Sequence, residues 1–293
     1  MKKILSSLFV LCLLLAACVP PPPPVAVSVA APTTAAAVLT AAPNAAPTAA
    51  ELQQIMELIG EFEVVQLFVD FSPGTWTPSH SHGAMLLVTV LEGELTVREE
   101  GKAEHIYKVG ESFMEWPGVF LEVGNAGANA ASVAAAALLP KGEKFTTVKD
   151  GISTDSAPPG PTTRYQYKQP ITEPLGEFEL IQLVLDFAPG AWTPPHSHGA
   201  TLLVTVLEGE VTVREEGKAE QTYKAGESFM EWPGVFLEVG NAGANVASVA
   251  AAALLPTGEK FTTVKEGAST DSPPPGPTVL YQAKLAANSV AAP

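Results

Sequence analysis

The sequence predicts an all-β protein built as two tandem barrels. One observation is a duplication. Gly74-Thr75-Trp76-Thr77-Pro78-Ser79-His80-Ser81-His82-Gly83 returns as Gly190-Ala191-Trp192-Thr193-Pro194-Pro195-His196-Ser197-His198-Gly199. The offset of 116 holds from Glu61 and Glu177 to Tyr165 and Tyr281. The second is a succession of short apolar runs divided by Gly, Pro and Asn, the pattern of a sandwich or closed barrel. The third is size, because two units of about 110 residues each suit independent cores.

The runs follow in chain order. Glu63 to Phe71 is a strand candidate ended by Ser72-Pro73-Gly74. Met85 to Leu91 is β-branched and apolar and stops at Glu92-Gly93. Glu94–Glu99, Ile106–Val109, Ser112–Trp116 and Phe120–Val123 come next. Ala131–Leu139 contains Ala134 to Ala137, and alanine favours helix. Its flanks, Val133 and Leu138-Leu139-Pro140, nevertheless fit a strand. The second copy repeats the series from about Pro174 to Leu280. The turn-rich stretch Asp150 to Gln169, with Ala157-Pro158-Pro159-Gly160-Pro161, reads as the domain junction. The expected domains are residues 51–168 and 169–284, with a disordered tail over 285–293. Two near-identical barrels on one chain are expected to pack as an intramolecular pseudo-dimer.

The N-terminus reads as an address rather than a fold. Lys2 and Lys3 precede an apolar run, Ile4 to Ala17, too short for an ordinary membrane span. Leu15-Ala16-Ala17-Cys18 resembles the lipobox of bacterial lipoproteins. That resemblance implies removal of residues 1–17, lipid on Cys18, and a place on the extracytoplasmic face of the cell envelope. Residues 18–50 then form a Pro/Ala-rich tether, including Pro20 to Pro24, which favours polyproline over any core. A short helix is expected through about Leu58, capped by Thr48-Ala49-Ala50-Glu51.

Composition excludes several functions. Cys12 lies in the removed segment and Cys18 carries lipid, so no Cys nucleophile or Cys zinc site remains. The net charge is −15, and loss of residues 1–17 removes Lys2 and Lys3 but no acid, leaving −17. Nucleic acid repels such a chain. No phosphate loop, dinucleotide fingerprint or Ser-His-Asp order is present.

The histidines carry the remaining chemistry. Four of the five sit in the two His-Ser-His units, and His105 has no counterpart in the second copy. Side chains two apart on a strand share a face, so His80 and His82 converge, as do His196 and His198. Paired neutral imidazoles suit Zn, Cu, Fe or Ni, but two ligands alone make a weak site.

Here the chain resembles the cupin superfamily, and the pair resembles a bicupin of RmlC-like jelly-roll barrels. The first cupin motif reads G-x5-H-x-H-x3-4-E-x6-G. Gly74, His80, His82, Leu86 and Gly93 fit every spacing. The second reads G-x5-P-x-G-x2-H-x3-N, matched by Gly110, Trp116, Gly118, Leu121 and Asn125. The second copy matches likewise. In metal-binding cupins two His and a Glu of the first motif and a His of the second hold one divalent ion. Leu86 and Leu202 replace that Glu, and Leu121 and Leu237 replace that third His.

Glu115 and Glu231 are the candidate substitutes. They precede the motif proline position in Phe113-Met114-Glu115-Trp116-Pro117-Gly118, which resembles the F-x-E-P-P-G stretch of some cupins lacking the first Glu. The turn there leaves their facing open. The candidate metal residues are therefore His80, His82, Glu115, His196, His198 and Glu231, with Fe, Mn, Zn, Ni or Cu as the ion. The candidate pocket residues are Trp76, Leu86, Leu121, Trp192, Leu202 and Leu237, with Trp116 and Trp232 at the mouth. Three functions are compatible: a lipid-anchored bicupin binding a small apolar ligand beside a reduced metal site, a quercetinase-like dioxygenase, or a metal-free structural or sensing lipoprotein.

Overall fold

The computed structural model describes residues 39–40, 61–171 and 177–286. The expected signal segment, Cys18, the tether apart from Leu39–Thr40, the short helix and residues 287–293 of the tail lie outside the described residues; Leu285 and Ala286, read as disordered tail, are strand because they pair along residues 179–180. Among the described residues every regular element is a strand.

A two-residue strand, β1 (Leu39–Thr40), comes first. The first barrel then runs β2 (Phe62–Phe71), β3 (His80–His82), β4 (Met85–Glu92), β5 (Glu94–Glu99), β6 (His105–Lys108), β7 (Ser112–Glu115), β8 (Leu121–Gly124), β9 (Ala131–Pro140), β10 (Thr146–Val148), β11 (Ser153–Thr154) and β12 (Thr162–Ile171). The second repeats it as β13 (Phe178–Phe187), β14 (His196–His198), β15 (Thr201–Glu208), β16 (Glu210–Glu215), β17 (Gln221–Lys224), β18 (Ser228–Glu231), β19 (Leu237–Gly240), β20 (Ala247–Pro256), β21 (Thr262–Val264), β22 (Ser269–Thr270) and β23 (Thr278–Ala286).

Each barrel is two facing sheets. In the first they are ordered β12-β2-β9-β4-β7 and β11-β10-β3-β8-β5-β6. In the second they are β1-β23-β13-β20-β15-β18 and β17-β16-β19-β14-β21-β22. The architecture is a tandem pair of cupin-type jelly rolls, as the sequence predicts. Part of the segment read as a junction is strand: Thr162–Ile171 pairs antiparallel along β2 from Asp70 to Phe62. Its polar composition (Thr162-Thr163-Arg164, Lys168-Gln169) hid it, because it is an edge strand buried on one side at most.

β2 and β9 are buried on both faces, which explains their near-continuous apolar runs. Val65, Leu67, Val69 and Phe71 point into the first barrel, together with Ala135 and Ala137. Ala136 and Ala134 point out of it, into clusters shared with the second barrel. Leu87, Met114 and Leu138 pack there with Leu180, Leu203 and Leu254. Small alanines let the two sheets approach, so tertiary packing overrides their helix preference.

This apolar seam carries reciprocal polar pins. Thr205 Oγ1 donates to Gln66 Oε1 at 2.5 Å, and Gln66 Nε2 donates to the Ala250 carbonyl at 3.2 Å. Thr89 Oγ1 donates to Gln182 Oε1 at 2.9 Å from the other side. Gln66 is 0% exposed with both amide atoms bonded, whereas the Nε2 of Gln182, 2% exposed, has no partner.

Candidate functional site

The site is built across the barrel, with one sheet supplying imidazoles and the other a carboxylate. β3 lies between β10 and β8, with His82 opposite Thr146, His80 opposite Val148, and His80 also opposite Leu121. β7 lies beside β4, with Glu115 directly opposite Leu86. Directly opposite residues share a face. Glu115 therefore projects from the same patch of wall as Leu86, where the resemblance places its absent Glu.

Alternation survives to the end of β7. Phe113 faces the barrel core and Met114 and Trp116 face the inter-barrel cluster, so Glu115 points inward. The turn that follows is tied down by a bond from the Gly118 N–H to the His82 carbonyl, 2.9 Å. The question the turn left open is thus settled. Glu231 sits opposite Leu202 in the same way.

His80, His82 and Glu115 are all buried, and one donor atom from each lies within 4.8 Å of the others. His196, His198 and Glu231 repeat the group. His82 Nε2 is 3.1 Å from Glu115 Oε2, and His198 Nε2 is 3.1 Å from Glu231 Oε2. In the second barrel the two Nε2 atoms are 3.2 Å apart.

The far sides of the rings fix their tautomers. His80 Nδ1 donates to the Pro78 carbonyl at 3.0 Å, and His82 Nδ1 donates to the Phe145 carbonyl at 2.8 Å. His196 and His198 do the same to Pro194 and Phe261, at 3.0 and 2.8 Å. A carbonyl only accepts, so the proton of each neutral ring is on Nδ1 and the Nε2 lone pair faces the cup. Glu115 is 5% exposed, and its Oε2 and that of Glu231 have no hydrogen-bond partner.

Burial holds His80 and His196 below their ordinary value of 6.5, against the opposing pull of Glu115 and Glu231. Burial alone would raise Glu115 and Glu231. The adjoining His82 and His80, and His198 and His196, outweigh it and set both carboxyls below 4.5. Each cup thus gathers two imidazole Nε2 atoms and a carboxylate in an apolar interior. A carboxylate buried without a partner is costly by several kcal/mol. A divalent cation coordinated by all three atoms satisfies every lone pair at once, and two imidazoles plus a carboxylate are a donor set suited to first-row transition metals.

Leu86 and Leu202 line the cups. Leu121 and Leu237 belong to the same cores, opposite His80 and His196 on the neighbouring strands, and do not reach the cavity lining. No tryptophan lines either cup. Trp76 lies flat on Gly124, where a Cβ would fall 2.0 Å from a ring carbon, and the Arg98 guanidinium covers its ring at 3.8 Å. Trp192, Gly240 and Arg214 repeat the stack. Trp116 is 5% exposed in the inter-barrel cluster, whereas Trp232 is 42% exposed. Stacking with arginine and closeness to glycine place the Trp76 and Trp192 rings on the outer wall. His105 is exposed, its ring 4.4 Å from Tyr107.

Sequence reasoning missed Phe145 and Phe261, whose carbonyls orient the rings, and the prolines that reach the cavities, Pro158, Pro161, Pro274 and Pro277. The only signal for the prolines was their recurrence at the 116 offset.

A cupin domain model matches residues 67–136 and again 183–252. Among solved structures, vicilin from Solanum melongena superposes with a TM-score of 0.52 at 13% identity, over 74% of this chain and 80% of that one. Vicilin from Solanum lycopersicum (tomato) gives 0.50 at 11%, over 72% and 79%. At such identities the likeness is one of fold. No curated protein sequence matches the chain.

Proposed function

We propose that this chain is an envelope-tethered tandem-cupin protein that binds one divalent transition metal in each barrel. His80, His82 and Glu115 hold one ion, and His196, His198 and Glu231 hold the other. The observation that carries this reading is the buried Oε2 of Glu115 and Glu231, each 3.1 Å from a histidine Nε2 whose ring is turned into the cup by an Nδ1 bond to a backbone carbonyl. An ion so held would supply Lewis-acid chemistry and, for Fe, Mn or Cu, redox chemistry. The residues of the chain orient the donors and surround them with apolar side chains. A small ligand binds beside the ion.

The test is metal loading. Chelator-stripped protein is incubated separately with Fe(II), Mn(II), Zn(II), Ni(II) and Cu(II), desalted and analysed by mass spectrometry. About two equivalents of at least one metal are expected, one for each group. Retention below about 0.2 equivalents of every metal would remove the reading.

Anchoring through Cys18 completes the proposal. Several acyl chains, at roughly 0.8 kcal/mol per buried CH₂, hold a protein on a membrane without a spanning helix. The chain is expected in the membrane fraction, and Cys18→Ser in the soluble one. An equal distribution of the two forms would refute the anchor.

A further inference from the structure

Each cup is roofed by its own proline loop. Pro158 and Pro161 reach the cavity lined by His80, His82 and Glu115, and Pro274 and Pro277 reach the other. The space beneath the loop is about 40 Å³ in the first barrel and about 30 Å³ in the second, and each cup stays partly open to its surroundings. One water needs roughly 10–15 Å³, so the first cup holds about three water-sized occupants and the second two or three. Pockets for drug-sized molecules run to roughly 300–1,000 Å³.

Proline suits such a roof. It has no N–H, so it covers an apolar cavity without burying an unbonded donor. The loop is also fastened from outside. Lys144 Nζ donates to Asp155 Oδ2 at 2.9 Å, and Gln166 Nε2 donates to the Asp155 carbonyl at 2.8 Å. The Ala157 N–H donates to Gln166 Oε1 at 3.2 Å. Gly160, at φ +112°, presses on the Trp76 carbonyl so closely that a Cβ would lie 2.3 Å from it. The second loop repeats the fastening through Lys260 and Asp271 at 3.0 Å, and through Gly276 against the Trp192 carbonyl.

We infer that the loops 155–161 and 271–277 are size filters, and that the ligand class of each cup is a molecule of two or three non-hydrogen atoms. The inference rests on the metal reading above, since the ion takes one of the water-sized places. A diatomic or triatomic molecule fits what remains. A flavonol, the substrate class implied by a quercetinase resemblance, is many times too large for the roofed cup.

The experiment uses the full chain loaded with Co(II), whose visible bands report ligand exchange. Azide (three atoms), imidazole (five) and catechol (eight) are titrated in turn. Azide is expected to shift the bands, and imidazole and catechol to leave them unchanged at concentrations about 100-fold higher. In a variant carrying Pro158→Gly, Pro161→Gly, Pro274→Gly and Pro277→Gly, imidazole is expected to bind while metal content is retained. Catechol binding to the wild type as readily as azide, or imidazole still excluded from the variant, would overturn the filter.

Failure to retain Co(II) would instead count against the metal reading, and the filter then has its own readout. Diethylpyrocarbonate is expected to modify the four cup histidines of metal-free protein at least about 10-fold more slowly than exposed His105. Lys144→Ala with Lys260→Ala, at exposed positions outside the cups, is expected to narrow that gap severalfold even if the proline variant fails to fold. Equal rates at all five histidines in the wild type would sink the proposal.

Discussion

Replacing Glu115 and Glu231 by glutamine is expected to weaken metal binding by more than about 100-fold while leaving the metal-free protein as stable as before, or more so. The first half follows from removing one of three donors and the only negative charge in each cup. The second follows from the tautomers. In the neutral ring His82 Nδ1 spends its proton on the Phe145 carbonyl, which leaves Nε2 an acceptor facing another acceptor. A glutamine amide at position 115 supplies the missing donor and removes a buried charge. Titration with a competing chelator gives the affinity, and chemical unfolding of stripped protein gives the stability. Loss of stability together with retained metal would mean that the carboxylate braces the barrel and is no ligand.

Phe145→Ala is expected to be the most damaging of the simple core truncations, at about 3–5 kcal/mol. The side chain is fully buried in the first core and its ring lies 4.8 Å from that of His82. For a folded unit of this size the loss corresponds to roughly 6–20 °C in melting temperature. Both barrels are expected to melt in one transition, because Leu87, Met114 and Leu138 share a cluster with Leu180, Leu203 and Leu254. Calorimetry that resolves two independent transitions, only one of them moved by Phe145→Ala, would show that the shared seam contributes little.

How much of this could be read from the residues varies with the kind of signal. The duplication and the punctuated apolar runs were enough for a pair of barrels. Even the alanine run fell as a strand, because Val133 and Leu138 bracket it. The convergence of His80 and His82 follows from parity alone. Glu115 was harder. Its facing depends on whether the pleat continues into Trp116-Pro117-Gly118, and only the pairing of Glu115 with Leu86 answers that. The Trp76 and Trp192 rings could not be located, since their partners, Arg98 and Gly124 or Arg214 and Gly240, are distant in sequence. The proline loops were read as linker for a similar reason. A roof and a spacer have the same composition, and what separates them is the Asp155, Gln166 and Gly160 contacts.

The crossed glutamines of the seam bear on how such a chain arises. Gln66 reaches Thr205 and Gln182 reaches Thr89, so each half offers the other a glutamine oxygen, although only Gln66 also spends its amide N–H across the seam. A lone half would leave that greasy face bare and would be driven to find its twin. Fusing the two genes turns a meeting that depends on dilution into one that does not. Twin cups on one chain would then always arrive together.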